Sequence, residues 1–170
     1  MSVKNHKRAI TEAVRCMVMT VSDTRNEETD KSGALMMELL KSNGHEVTDY
    51  VIIKDERKAI QDAVTSGSQS STVDVILTNG GTGIANRDVT IEAVKELMTK
   101  EIPGFGEIFR MLSYQEDIGS AAILSRAIAG VVNNKAVFST PGSSGAVRLA
   151  MNKLILPELG HVVGELRKDL

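Results

Sequence analysis

The chain has 170 residues, a formal net charge of −2, and 42% hydrophobic against 25% charged residues, which suits one globular domain with a sizeable core. That balance, with an aromatic content of 3%, gives neither the basic face nor the stacking platforms of a nucleic-acid binder. The lone cysteine, Cys16, excludes an intramolecular disulfide and a cysteine-based zinc cluster, and no apolar run approaches the roughly 18 residues that span a bilayer.

Residues 1–14 are polar and charged, so they are expected to form an N-terminal arm ahead of one domain over residues 15–170. The start of the arm lacks the apolar region of a signal peptide, which predicts a cytoplasmic protein without membrane contact. Residues 16–21 suit a strand covered on both faces of a parallel sheet, with Cys16 in the core. Ser22, Asp23, Thr24 and Arg25 follow. In open α/β sheets ligands sit beyond the carboxyl ends of strands, which makes these residues candidates for a binding rim. A solvated connection in which Asp23 satisfies loop N–H groups explains them equally well.

Asp30 or Ser32 can start a helix with Leu35, Met36, Leu39 and Leu40 inward, closed by Asn43 and Gly44. A β-branched stretch centred on Val51, Ile52 and Ile53 then gives a second strand ending at Asp55. Asp55 is a second candidate at the same rim, although an ordinary N-cap for a helix over residues 58–64 is the simpler reading.

The most informative stretch is residues 73–94. A buried strand runs into Asn79, Gly80, Gly81, Thr82 and Gly83, where three glycines within four residues let backbone N–H groups turn toward one point. Such a nest ahead of a helix favours a phosphate. Ile91, Val94, Leu97 and Met98 share a face, which predicts a helix with Thr90 as N-cap. Asp88 then stays outside the helix, free to hold Mg²⁺, with Arg87 beside it to meet a phosphate bidentately. A plain tight turn with a solvated Arg-Asp pair is the competing reading. Two familiar loops are excluded: Asn86 stands where a dinucleotide fingerprint needs its third glycine, and no GxxxxGK[ST] occurs.

Residues 103–106 break the pattern before a helix carrying Ile108, Phe109, Met111 and Leu112, and a short helix is expected over residues 120–126. Residues 128–132 and 136–138 read as strands joined at Asn133 and Asn134, a hairpin at one sheet edge that makes the sheet mixed. The last strand ends in Pro141, Gly142, Ser143 and Ser144, ahead of a helix that Leu156 and Pro157 interrupt. This loop offers a second anion site through the serine hydroxyls, or a plain serine N-cap. His6, His45 and His161 lack metal-ligand spacing, and no Gly-x-Ser-x-Gly elbow occurs.

Together, Val21-Ser22-Asp23, Lys54-Asp55-Glu56, Gly80-Gly81-Thr82-Gly83 with Arg87-Asp88-Val89-Thr90, Leu124-Ser125-Arg126 and Pro141-Gly142-Ser143 resemble the molybdenum cofactor biosynthesis family of MogA and MoaB, whose domain also occurs in gephyrin. Residues 107–113 and 125–131 look closest to the MoaB branch. The resemblance implies an α/β three-layer sandwich: a central, mostly parallel sheet with an antiparallel edge hairpin and helices on both faces. It also implies Mg-ATP-dependent adenylylation of molybdopterin before molybdate insertion, or, as the alternative in this mixed branch, a non-catalytic molybdopterin carrier.

By the same resemblance, Asp55 and Asp88 are the catalytic and Mg²⁺-holding residues. Asp23, Gly80, Gly81, Thr82, Gly83, Arg87, Pro141, Gly142, Ser143 and Ser144 contact the substrates ATP and molybdopterin. A homo-oligomer, trimer or hexamer, and contacts with other molybdenum cofactor biosynthesis proteins are expected. The chain departs from the family pattern at Asn79, Asn86 and Ile91, and it lacks a lysine among Ser143, Ser144 and Gly145, which predicts weaker anion binding there.

Overall fold

The computed structural model describes residues 12–170, so residues 1–11 of the expected arm lie outside the described residues. Among those described, six strands form one sheet in the order β2-β1-β3-β6-β5-β4. The strands are β1 (Arg15–Val21), β2 (Glu46–Ile53), β3 (Val75–Asn79), β4 (Lys100–Glu101), β5 (Ile128–Val132) and β6 (Lys135–Thr140). β2, β1, β3 and β6 run parallel, whereas β5 and β4 are antiparallel to their neighbours. The helices are α1 (Lys31–Ser42), α2 (Arg57–Gln69), α3 (Thr90–Leu97), α4 (Pro103–Glu116), α5 (Ser144–Ala150) and α6 (Leu156–Leu166).

Alternation along the central strands sends side chains to opposite faces and builds two cores. Cys16, Val18, Val75, Leu77, Ala136 and Phe138 meet Met36 and Leu40 of α1, Phe109 of α4 and Val147 of α5. Met17, Met19, Val21, Ile76 and Val137 meet Ile60 and Val64 of α2 and Ala93 and Val94 of α3. The sheet is therefore covered on both faces, as expected, and Cys16 is fully buried in it, its thiol pushed up to about 12 by desolvation, then by the Asp74 charge.

The chain leaves β1 toward β2 and returns past β1 to β3, so the crossover direction reverses between β1 and β3. At such a switch point the following loops splay apart and leave a crevice at the strands' carboxyl ends.

Several boundaries differ from the sequence reading. Thr90 is the first helical residue of α3, not its cap; Val89 holds the cap position and makes no side-chain cap bond. Pro103 begins α4 instead of breaking it, because a proline in the first turn needs no N–H partner. The hairpin has its tight turn, with Asn133 and Asn134 at φ 47° and 61°, but β4 pairs outside β5, so the edge is β4. A two-residue strand carries no periodicity by which to find it. Residues 119–124 form a 3₁₀ segment. Between α5 and α6 the helix continues through a π turn over Met151–Ile155, whose wider winding accommodates Pro157 where a break was expected.

Candidate functional site

Four parallel strands deliver their carboxyl ends to one cleft of about 380 Å³, lined from β1 by Ser22, Asp23 and Arg25, from β2 by Asp55, from β3 by Gly80 to Gly83 with Arg87 and Asp88, and from β6 by Pro141 and Gly142. Leu124, the last residue of the 3₁₀ segment, and Ser125 close one side. Asp23, Asp55, Gly80, Gly81, Thr82, Gly83, Arg87, Asp88, Pro141 and Gly142 are thus brought together. Ser143 and Ser144 do not line the cleft: the Ser143 hydroxyl accepts the Ala146 N–H at 3.2 Å and caps α5, the simpler of the two readings.

The glycine loop is stapled at both ends. The Gly80 N–H donates to the Thr140 carbonyl, and the Thr90 N–H to the Gly81 carbonyl, each at 3.0 Å. Gly80 and Gly81 sit at φ 95° and 66°, and a Cβ on Gly81 would collide with the Thr90 hydroxyl and with Asp55 Oδ1 at 2.8 Å. Among the described residues, the N–H groups of Gly81, Thr82 and Gly83 donate to no protein acceptor, although all three residues line the cleft. Neighbouring free donors are what an anion-binding concavity is built from. The buried Thr90 hydroxyl behind Gly81 is likewise without a partner.

Asp55 caps no helix, since α2 begins at Arg57 after Glu56. Its backbone N–H donates to Asp23 Oδ1 at 3.0 Å, which ties the end of β2 to the end of β1 and leaves the Asp55 carboxylate half-buried in the cleft. Burial raises its pKa first, the Asp23 charge adds to this, the Asp23 backbone N–H facing the Asp55 carboxylate opposes it, Asp88 raises it further and Arg87 lowers it. Asp88 Oδ2 meanwhile accepts the Ala85 N–H at 3.0 Å, which fixes the turn after the glycines.

The carboxylates therefore crowd one another's charge, a condition that a cation relieves. Among the described residues no group of three or more His, Cys, Asp or Glu is close enough to hold a metal ion. This donor set fits Mg²⁺ all the same, because Mg²⁺ is usually held by one or two carboxylates together with substrate phosphates and water, not by a protein cage.

A family model described as a probable molybdopterin binding domain matches residues 17–161. Over 169 residues the chain is 64% identical to molybdenum cofactor biosynthesis protein B of Bacillus subtilis strain 168, covering 99% of each. The chain belongs to the MoaB family of molybdenum cofactor biosynthesis proteins. Its fold matches a crystal structure of a molybdenum cofactor biosynthesis protein B with a TM-score of 0.91 at 66% identity, over 92% of this chain and 98% of that one. The molybdopterin biosynthesis enzyme MoaB from Thermus thermophilus aligns with a TM-score of 0.80 at 34% identity, over 90% and 96% of the two chains.

In this MoaB-family chain two side chains escaped the site assignment made from sequence, Arg126 and Asn79, while Arg25, a rim candidate there, gains a definite role. Arg126 holds the outer side of the glycine loop, donating from Nη2 to the Gly83 and Asp88 carbonyls at 2.7 and 3.2 Å and from Nε to the Thr82 carbonyl at 3.0 Å, while its guanidinium also pairs with Glu92. Arg25 bridges two rims, with Nη2 on the Gly142 carbonyl at 3.0 Å and Nη1 on Ser32 Oγ at 2.5 Å. Asn79, fully buried, accepts from Ser32 Oγ and donates to Thr20 Oγ1, both at 2.9 Å, which locks the ends of β1 and β3 to the start of α1. Arg126 was visible as part of a family-like motif, but its partners lie 34 to 44 residues away.

Proposed function

We propose that this MoaB-family chain adenylylates molybdopterin with Mg-ATP. The observation that carries the reading is that Asp55 and Asp88, from different strands, flank the free N–H groups of Gly81 to Gly83 in one cleft. In the reaction a terminal phosphate oxygen of molybdopterin attacks the α-phosphorus of ATP, the α–β bridging P–O bond breaks, and pyrophosphate leaves with the electron pair. Little covalent help is needed, so charge neutralisation and alignment carry the rate.

The glycine-loop N–H groups hold phosphate oxygens in this reading, and Arg87 at the mouth of the cleft meets a further pair bidentately. Asp55 and Asp88 hold Mg²⁺, which supplies neutralisation of the phosphate charge when bound. Asp23 fixes the Asp55 backbone, and Arg126 fixes the carbonyls of the glycine loop so that its N–H groups stay turned inward. Ser143 is already committed as a helix cap, which leaves Pro141 and Gly142 as the β6 contribution to the substrates.

A homo-oligomer belongs to the same proposal. Ile108, Met111 and Tyr114 recur at helical spacing on the outer face of α4 and are 44%, 50% and 61% exposed, with Ile118 and Leu124 beyond them. A second copy is the occupant we assign to this face.

The test is to incubate the purified protein with molybdopterin and Mg-ATP and to look for adenylylated pterin and pyrophosphate. Product that requires all three components supports the proposal. Tight pterin binding with no ATP-dependent product would instead favour the carrier.

A further inference from the structure

Beside the cleft lies a second groove of about 540 Å³ that shares Ser22, Asp23 and Arg25 with it. Its far wall is Tyr50, Val51, Ile52, Ile53 and Lys54, five consecutive residues of β2 and its end. Successive side chains of a strand point to opposite faces, so consecutive residues can line one hollow only along the strand's edge. Among the described residues that edge is the open one: β2 is terminal in the sheet and pairs only with β1.

The backbone direction along this edge follows from one bond. The Ser22 N–H donates to the Ile53 carbonyl at 2.8 Å, so Ile53 turns its polar groups toward β1. In a parallel ladder the residues alternate, and Ile52 therefore turns both its N–H and its carbonyl outward, where no described residue meets them. The Ile52 side chain is half-buried yet belongs to neither hydrophobic core, whereas Tyr50 packs on one and Val51 and Ile53 on the other. Ile52 thus offers, from a single residue, a donor, an acceptor and an apolar surface.

A flat ring with a donor–acceptor edge is the ligand that such a residue reads. We propose that the groove along the open edge of β2 receives the planar heterocycle of a substrate, an adenine or a pterin ring, hydrogen-bonded by the backbone of Ile52. The inference rests on the proposed function for the source of the ring, and it explains a matter of size. A cleft of about 380 Å³ is near the lower bound for one drug-sized ligand, whereas the reaction brings together two phosphorylated heterocycles. With the phosphates on the glycine loop, one ring lies past Asp23 and Arg25 along β2.

The test measures binding of Mg-ATP, of neopterin as a stable pterin, and of Mg-tripolyphosphate, which has no ring, to the wild type, to Ile52→Trp, which fills the groove, and to Ile52→Pro, which removes the outward N–H at an edge position where proline is tolerated. Affinity for at least one ring ligand is expected to fall about tenfold or more in both variants, with tripolyphosphate unchanged. The ligand that loses affinity identifies the ring. In the unsubstituted protein that same ligand should shift the Ile52 amide resonance, a reading that decides the matter should either variant fail to fold.

Ring ligands that leave this amide unmoved, that bind both variants as tightly as the wild type, or that fail to bind at all would overturn the inference. If the rings behave as expected but tripolyphosphate does not bind, the phosphate assignment falls and the edge groove stands.

Discussion

Asp88 Oδ2 accepts the Ala85 N–H at 3.0 Å while its charge reaches Asp55, so Asp88→Asn keeps an acceptor for the turn and removes only the charge. Turnover should fall by about a hundredfold or more while thermal stability stays within about 1 kcal/mol of wild type, as product formation and a melting curve would show. Gly81 behaves differently. At φ 66°, with the Thr90 hydroxyl and Asp55 Oδ1 where a Cβ would stand, Gly81→Ala strains the backbone and displaces the Asp55 carboxylate. A loss of about 1–3 kcal/mol in stability and a clear loss of Mg-ATP affinity by calorimetry are expected. Unchanged affinity would mean that the loop does not touch the nucleotide.

At the scale of elements, the rim rests on how α1 begins. Asp30 caps α1 by accepting the Gly33 N–H at 3.0 Å, and it also accepts the Tyr50 hydroxyl of β2 at 2.6 Å. Burial pushes its carboxyl up, but Thr20, Tyr50, the Gly33 N–H and Arg25 together bring it below the usual value. A carboxyl lowered on folding contributes stability that is complete above its unfolded pKa and is lost as pH falls through the folded one. Asp30→Ala should therefore cost about 2 kcal/mol near neutral pH, and the difference should shrink below about pH 4. Denaturation series at the two pH values check this; a gap that widened in acid would contradict the assignment.

The elements also show what could be read from sequence. Asp30, the inward stripe of α1 and the glycine turn were legible because caps, helical periodicity and left-handed backbone have local signatures. The start of α3 was misplaced by one residue: Thr90 has the chemistry of a cap, but the first helical bond runs from the Ala93 N–H to the Val89 carbonyl and makes Val89 the cap. Arg126 and Asn79 were missed as site residues for a different reason. Their partners lie on other elements, and nothing in the neighbouring residues announces them.

For the whole molecule, the doubly covered sheet ties three sides of the cleft to the interior: β1, β3 and β6 are central strands packed on both faces against the two cores. A doubly covered sheet with an antiparallel hairpin was legible from the apolar runs and turn residues and the three-layer class came with the family resemblance, whereas the groove on β2 depends on which strand becomes terminal, and strand order is a property of assembly. The apolar face of α4 belongs to this scale too. Met111→Glu, at a half-exposed position, should leave the monomer folded and lower the mass measured by light scattering from a multiple of the chain mass toward 18.3 kDa. An unchanged oligomer would move the interface elsewhere.

The most direct measurement follows the α-phosphate itself: ATP labelled at that position is mixed with molybdopterin and Mg²⁺, and the wild type is compared with Asp55→Asn and Asp88→Asn. Label should appear in the pterin product with the wild type and be nearly absent with either variant, although both remain folded. Equal labelling by all three proteins, or none by the wild type, would contradict the role given to the paired carboxylates.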